Sequence, residues 1–156
     1  MKVFGIDAGQ MGGLSIVSNE GGVIKLEAAI RMPVLQLRNK KIVDARAVVD
    51  FFSSHFIDAV IIEAVSAMPA QGVASSFQFG RSFGAVEALS YTIGTSVNYV
   101  TPAVWKRAMG LSKSKQQSLD LAEIKFGPNP LWGVKRNDGI AEAALLCLWF
   151  LDKHRN

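Results

Sequence analysis

Two short runs of purely apolar residues constrain this chain more than any other feature. Val3-Phe4-Gly5-Ile6 ends in Asp7, and Ala59-Val60-Ile61-Ile62 ends in Glu63. Each run is too short for a helix and reads as a strand covered on both faces. After Asp7, the Gly9, Gly12, Gly13 segment predicts a turn, Leu14 to Ser18 a second strand, and Val23 to Met32 a third beyond a Gly21-Gly22 turn. These three make an antiparallel meander. Val43 to Ser54 carries helical spacing, with Asp44 in the first turn where the helix dipole favours an acid. A strand, helix, strand order then pairs the two apolar runs in parallel by a right-handed crossover. Asp7 and Glu63 should therefore share the carboxyl edge of the sheet, where open α/β sheets collect their ligands.

Further along, residues 64–74 read as a loop, Ser75 to Ile93 as a long helix and Ser96 to Val100 as a fifth strand. Pro102 to Met109 and Lys115 to Phe126 read as two more helices. Pro128, Pro130 and Gly133 break the chain before a last helix from Asn137 to Asp152. In that helix Asp138 and Glu142 lie four residues apart, one turn apart on one face. Packed over the sheet edge, they would join Asp7 and Glu63. Four carboxylates so placed need protons or cations. Hard divalent ions with oxygen ligands fit best, magnesium foremost, and two such ions roughly 4 Å apart can hydrolyse a phosphodiester.

Length and composition narrow the alternatives. The 156 residues, 49% of them hydrophobic, suit one domain over 1–156 and disfavour two-domain kinases and dehydrogenases. The longest apolar run, Ala143 to Leu151, has nine residues where a membrane span needs roughly 20, and Asp7 interrupts the N-terminal apolar stretch, so neither a membrane segment nor a signal peptide is expected. A lone Cys147 points to a reducing cytoplasm, and two histidines exclude a multi-histidine zinc site. The net charge is +4. Residues 1–100 hold eight basic and eight acidic side chains, whereas the last 56 hold nine and five. By this tally the C-terminal part should face a polyanion.

The phrases FGIDAGQMGGLSIV, AVIIEAVSAMP, VTPAVWKRAMGLSKSK and RNDGIAEAALL resemble the RuvC-type Holliday-junction resolvases, especially their compact phage and organellar relatives in the RNase H-like superfamily. The resemblance runs from the first strand to the last helix. It implies an α/β, RNase H-like fold: a five-stranded mixed sheet, three antiparallel strands then two parallel, with helices on both faces. It further implies a homodimer that nicks four-way or branched DNA with two magnesium ions, manganese substituting. Asp7, Glu63, Asp138 and Glu142 then take the catalytic and metal-binding positions. The last pair departs from the better-known bacterial members, which carry two Asp three positions apart.

By the same resemblance the Lys after the short helix lies near the scissile phosphate, here Lys115 with Lys113 as alternative. Lys106, Arg107, Lys113, Lys115, Lys135 and Arg136 are candidate DNA-binding residues, with Lys106 and Arg107 gripping the backbone. Met68, in the loop after Glu63, could wedge into unstacked bases. Phe79, Gly80, Phe83 and Gly84 repeat at four-residue spacing on the long helix and permit close helix approach, either to its own sheet or across a homodimer interface. Two other functions remain open: an RNA-processing nuclease of the YqgF type and a non-cleaving branched-DNA binder. The Asp-Ala-Gly start also resembles the first phosphate loop of the actin and sugar-kinase ATPases. That fold needs two such domains, so no nucleotide cofactor is expected.

Overall fold

A computed structural model describes residues 1–64 and 72–154. Its strands are β1 (Lys2–Asp7), β2 (Gly13–Glu20), β3 (Val23–Arg31), β4 (Val34–Leu37), β5 (Lys40–Val43), β6 (Ala59–Glu63) and β7 (Ser96–Val100). The central sheet has the order β3-β2-β1-β6-β7. β1 pairs antiparallel with β2 and parallel with β6, and β6 pairs parallel with β7. This is the mixed five-stranded α/β sheet the sequence implies. Among the described residues the α-helices are α1 (Ala45–Ser53), α2 (Val73–Tyr91), α3 (Pro102–Ala108), α4 (Lys115–Phe126) and α5 (Asp138–Lys153).

Strand alternation sorts the core into two layers. Val3, Ala59 and Ile61 pack with Trp105, Leu119 and the apolar side of α5. Phe4, Ile6, Val60 and Ile62 point the other way, against Val48 and Phe52 of α1 and Val86 of α2. Helices thus cover both faces. Helix α5 is buried over nearly its whole length because it fills the groove above β1 and β2. Cys147 lies there with Sγ 3.4 Å from the Val3 carbonyl, and burial pushes its thiol up, as befits a small core residue. Among the described residues no helix is long and apolar enough to cross a membrane.

Two local expectations need correction. Residues 33–43 conceal a two-stranded hairpin, β4 (Val34–Leu37) with β5 (Lys40–Val43). Val43 closes that hairpin and does not open the helix. Asp44 is consequently the N-cap of α1, accepting from the Ala47 amide at 3.1 Å, where a carboxylate satisfies an otherwise orphaned N–H. At the other end of the chain, α5 begins at Asp138 after a 3₁₀ turn over Lys135–Asn137.

Candidate active site

The parity of the strands decides where the acids go. Asp7 follows Val3 and Gly5 onto the α5 side of β1, and Glu63 follows Ala59 and Ile61 onto the same side of β6. Gly5 pairs with Ile61 and Ile6 with Ile62, so the register carries Asp7 alongside Glu63. Glycines let α5 descend onto this edge. Gly12 and Gly139 form a backbone bridge, and a methyl group on Gly139 would lie 2.5 Å from the Gly12 Cα. One on Gly13 would lie 2.6 Å from the Ile140 backbone. The buried Ser15 hydroxyl donates to the Ile140 carbonyl at 3.0 Å, and Asn137 accepts from Arg31 Nε at 2.6 Å. These contacts dock the first turn of α5, with Asp138 and Glu142, over the ends of β1 and β2.

Each of the last three acids has a partner from this chain. Trp105 Nε1 donates to Glu63 Oε1 at 2.8 Å. Glu142 Oε1 accepts from Lys106 Nζ at 2.7 Å and from Ser118 Oγ at 3.0 Å. Lys115 Nζ lies 2.7 Å from Asp138 Oδ2, which raises the lysine above its ordinary range. Asp7 keeps some solvent contact, yet the surrounding protein first, then the Glu63 and Glu142 carboxylates, push it up to about 8. Burial also raises Glu63, reinforced by Glu142 and opposed by the Trp105 hydrogen bond and Lys106. These are groups whose charged forms are disfavoured by their own neighbourhood.

Among the described residues no three Asp, Glu, His or Cys side chains form a finished cation cage. Two of the four acids are instead held by ammonium groups. The donor set nonetheless fits a hard divalent cation: it offers carboxylate oxygens only, and Asp7 so close to Glu63 and Glu142 calls for added positive charge.

The other expected residues scatter. Lys106 has its side chain 20% exposed and bound to Glu142. Lys115 opens α4 with its side chain 73% exposed. Arg107, Lys113, Lys135 and Arg136 are exposed, at the end of α3, in the α3–α4 loop and in the turn before α5. Met68 lies outside the described residues. Phe79 and Phe83 are half-buried with rings 6.5 Å apart, whereas Gly80 and Gly84 are exposed and nothing lies within 4 Å of where their Cβ would be. Those glycines therefore do not serve packing against the sheet of this chain. Sequence reasoning passed over Trp105 and Ser118 as partners of the acids. Their only signal was position: a Trp beside Lys106 and a Ser on the inner side of α4.

No family model matches the chain, and no curated protein does. Solved structures do. The structure of Thermus thermophilus RuvC in complex with a Holliday junction substrate matches at a TM-score of 0.68 and 18% identity, covering 99% of this chain and 97% of that one. A second Thermus thermophilus RuvC structure matches at a TM-score of 0.60 and 20% identity, over 96% and 92%. By its backbone this chain has the RNase H-like fold of RuvC, the family its motifs resemble.

Proposed function

We propose that this chain is a metal-dependent, structure-selective endonuclease that resolves four-way DNA junctions, acting as a homodimer that cuts one phosphodiester in each of two opposed strands. The observation that carries the reading is the gathering of Asp7, Glu63, Asp138 and Glu142 around the carboxyl ends of β1 and β6 in a fold that RuvC shares. The likeness to a RuvC structure that holds a junction substrate supports the choice of DNA.

Asp7, Glu63, Asp138 and Glu142 would hold two divalent ions, magnesium with manganese as substitute. When bound, such ions supply an activated water and offset charge on the leaving oxygen. The chain itself supplies orientation. Trp105 engages one oxygen of Glu63, and Ser118 with Lys106 engages one oxygen of Glu142, so each carboxylate is held before anything binds. Lys115, paired with Asp138 yet largely exposed, meets the phosphate, where its ammonium offsets charge developing on the phosphoryl oxygens. Arg107, Lys113, Lys135 and Arg136 contact flanking phosphates without reading sequence. For the homodimer, α2 offers Phe79, Gly80, Phe83 and Gly84, the two glycines exposed and the two rings half-buried, with Phe77 65% exposed beside them.

Synthetic four-way junctions incubated with magnesium should acquire symmetric nicks. Asp7→Asn should abolish the nicks while junction binding survives. Equal cutting by both proteins, or cutting of structured RNA in preference to the junction, refutes the reading.

A further inference from the structure

The hairpin that sequence reasoning missed carries clustered charge that a count along the chain averages away. Residues 33–43 contain Arg38, Lys40 and Lys41 and no acid. In the fold this hairpin packs against α2, and Leu37, Arg38, Asn39, Lys40 and Arg81 line an open cavity of about 470 Å³ between them. Two cations of the hairpin and one of α2, distant in sequence, thus share one concavity. The three ion pairs among the described residues are Lys25 with Glu27, Lys106 with Glu142 and Lys115 with Asp138, and none involves this group. Exposed cations converging on one concavity give it a positive potential that favours an anion.

Two further observations point the same way. Leu37 pairs with Lys40, leaving Arg38 and Asn39 as a two-residue turn, and Arg38 sits at φ 52°. Glycine, asparagine or aspartate fills such a position at less strain. An arginine kept in a strained turn beside two other cations is an outlier that needs a reason. The hairpin is also tied to the candidate active site. The Gln10 side-chain amide, in the turn after Asp7, donates to the Lys41 carbonyl at 2.9 Å. This hydrogen bond joins the turn beside Asp7 to the hairpin that lines the cavity.

We propose that the cavity formed by Arg38, Lys40 and Arg81 between the β4–β5 hairpin and α2 is a second phosphate-binding site, holding the backbone of a duplex DNA arm away from the carboxylates. The inference rests on the nuclease reading and adds a substrate contact to it. Arginine suits the role because its planar fork donates two hydrogen bonds to one phosphate, and such contacts give affinity without sequence preference.

The test compares the wild-type protein with Arg38→Gly/Lys40→Ala/Arg81→Ala. Binding of a labelled four-way junction and of a linear duplex is measured in EDTA over a range of salt concentrations. Removing three phosphate contacts should weaken both DNAs by about tenfold or more and lessen the slope of log affinity against log salt by about 2 to 3. Cleavage of the junction at saturating DNA with magnesium should stay at the wild-type rate, and the melting temperature should not fall. Unchanged affinity and slope overturn the proposal, as does a variant that alters only self-association. Saturable competition by millimolar inorganic phosphate, beyond its ionic-strength effect, would assign the cavity to a small anion and overturn it too. If the wild-type protein cuts junctions while the variant binds them equally well, only the cavity proposal fails. If the wild-type protein neither binds nor cuts DNA, both readings fail.

Discussion

The carboxylate edge and the β4–β5 hairpin collect charge in opposite ways. At the edge, acids are packed against α5 and held by Trp105, Ser118, Lys106 and Lys115, so their electrostatic tension is contained within the protein. On the hairpin, cations stand exposed with no carboxylate among the described ion pairs. The edge stores unfavourable energy where water is scarce; the hairpin keeps its charges in water, where crowding costs little until a ligand removes the solvent. A perturbation should accordingly move folding and cation binding at the edge, and DNA binding at the hairpin.

Proton linkage gives the largest expected effect. Asp7 titrates near 8 in the folded chain and near its ordinary 3.8 when unfolded. An acid raised on folding binds its proton more tightly in the native state, so native stability is greatest when the proton is on. Without divalent cations, stability should fall as pH rises from about 4 to about 8 and level off above, by at most about 6 kcal/mol. Glu63, raised in the same direction, adds to the slope. Urea unfolding at half-unit pH steps measures it. Asp7→Asn should flatten much of the curve, and divalent cation added at pH 8 should restore what alkalinity removed. A wild-type profile that is flat or rises over this interval would show that the edge holds no such tension.

Replacing Trp105 by Phe probes the same edge more gently. The ring is mostly kept while the N–H on Glu63 Oε1 is lost. Leaving that oxygen without its partner should cost about 1 to 3 kcal/mol of stability. A carboxylate no longer oriented should also bind manganese about tenfold or more weakly, as is usual when a supporting hydrogen bond to a metal ligand is removed. Calorimetric titration with manganese alone reads this directly. Unchanged manganese affinity would make Trp105 a packing residue only.

How much of this could be read from the sequence follows from the physics of each region. The meeting of Asp7 and Glu63 at one edge was legible, because an apolar run of four residues ending in an acid specifies both burial and parity. The spacing of Asp138 and Glu142 was legible for the same reason on a helix. The rotation of α3 was not: nothing local says that Trp105 faces inward to Glu63, or that Lys106 turns toward Glu142 and away from solvent. The hairpin was invisible because β4 and β5 are mostly exposed, so Val34-Leu35-Gln36-Leu37 shows no buried alternation, and its turn lacks the glycine that announces one. Counting charge along the chain then hid Arg38, Lys40 and Arg81, since their proximity is a product of tertiary packing between α2 and the hairpin.

The smallest predicted effect separates the two regions most sharply. Arg38→Gly alone removes one cation and relieves a left-handed residue. Relief of the side-chain strain is worth about 1 to 2 kcal/mol, and the extra freedom of glycine in the unfolded chain returns about 0.5 to 1 of it. A net gain of about 0.5 to 1 kcal/mol should appear as a higher urea midpoint with an unchanged slope. Junction affinity should fall in the same protein. At the edge, stability and cation binding are coupled through the same carboxylates, so a substitution there should move both while junction binding survives. A hairpin variant that folds better and binds worse would show that Arg38 is retained against stability for the sake of its ligand. A variant with a lower midpoint would mean that the arginine is instead part of what holds the turn together.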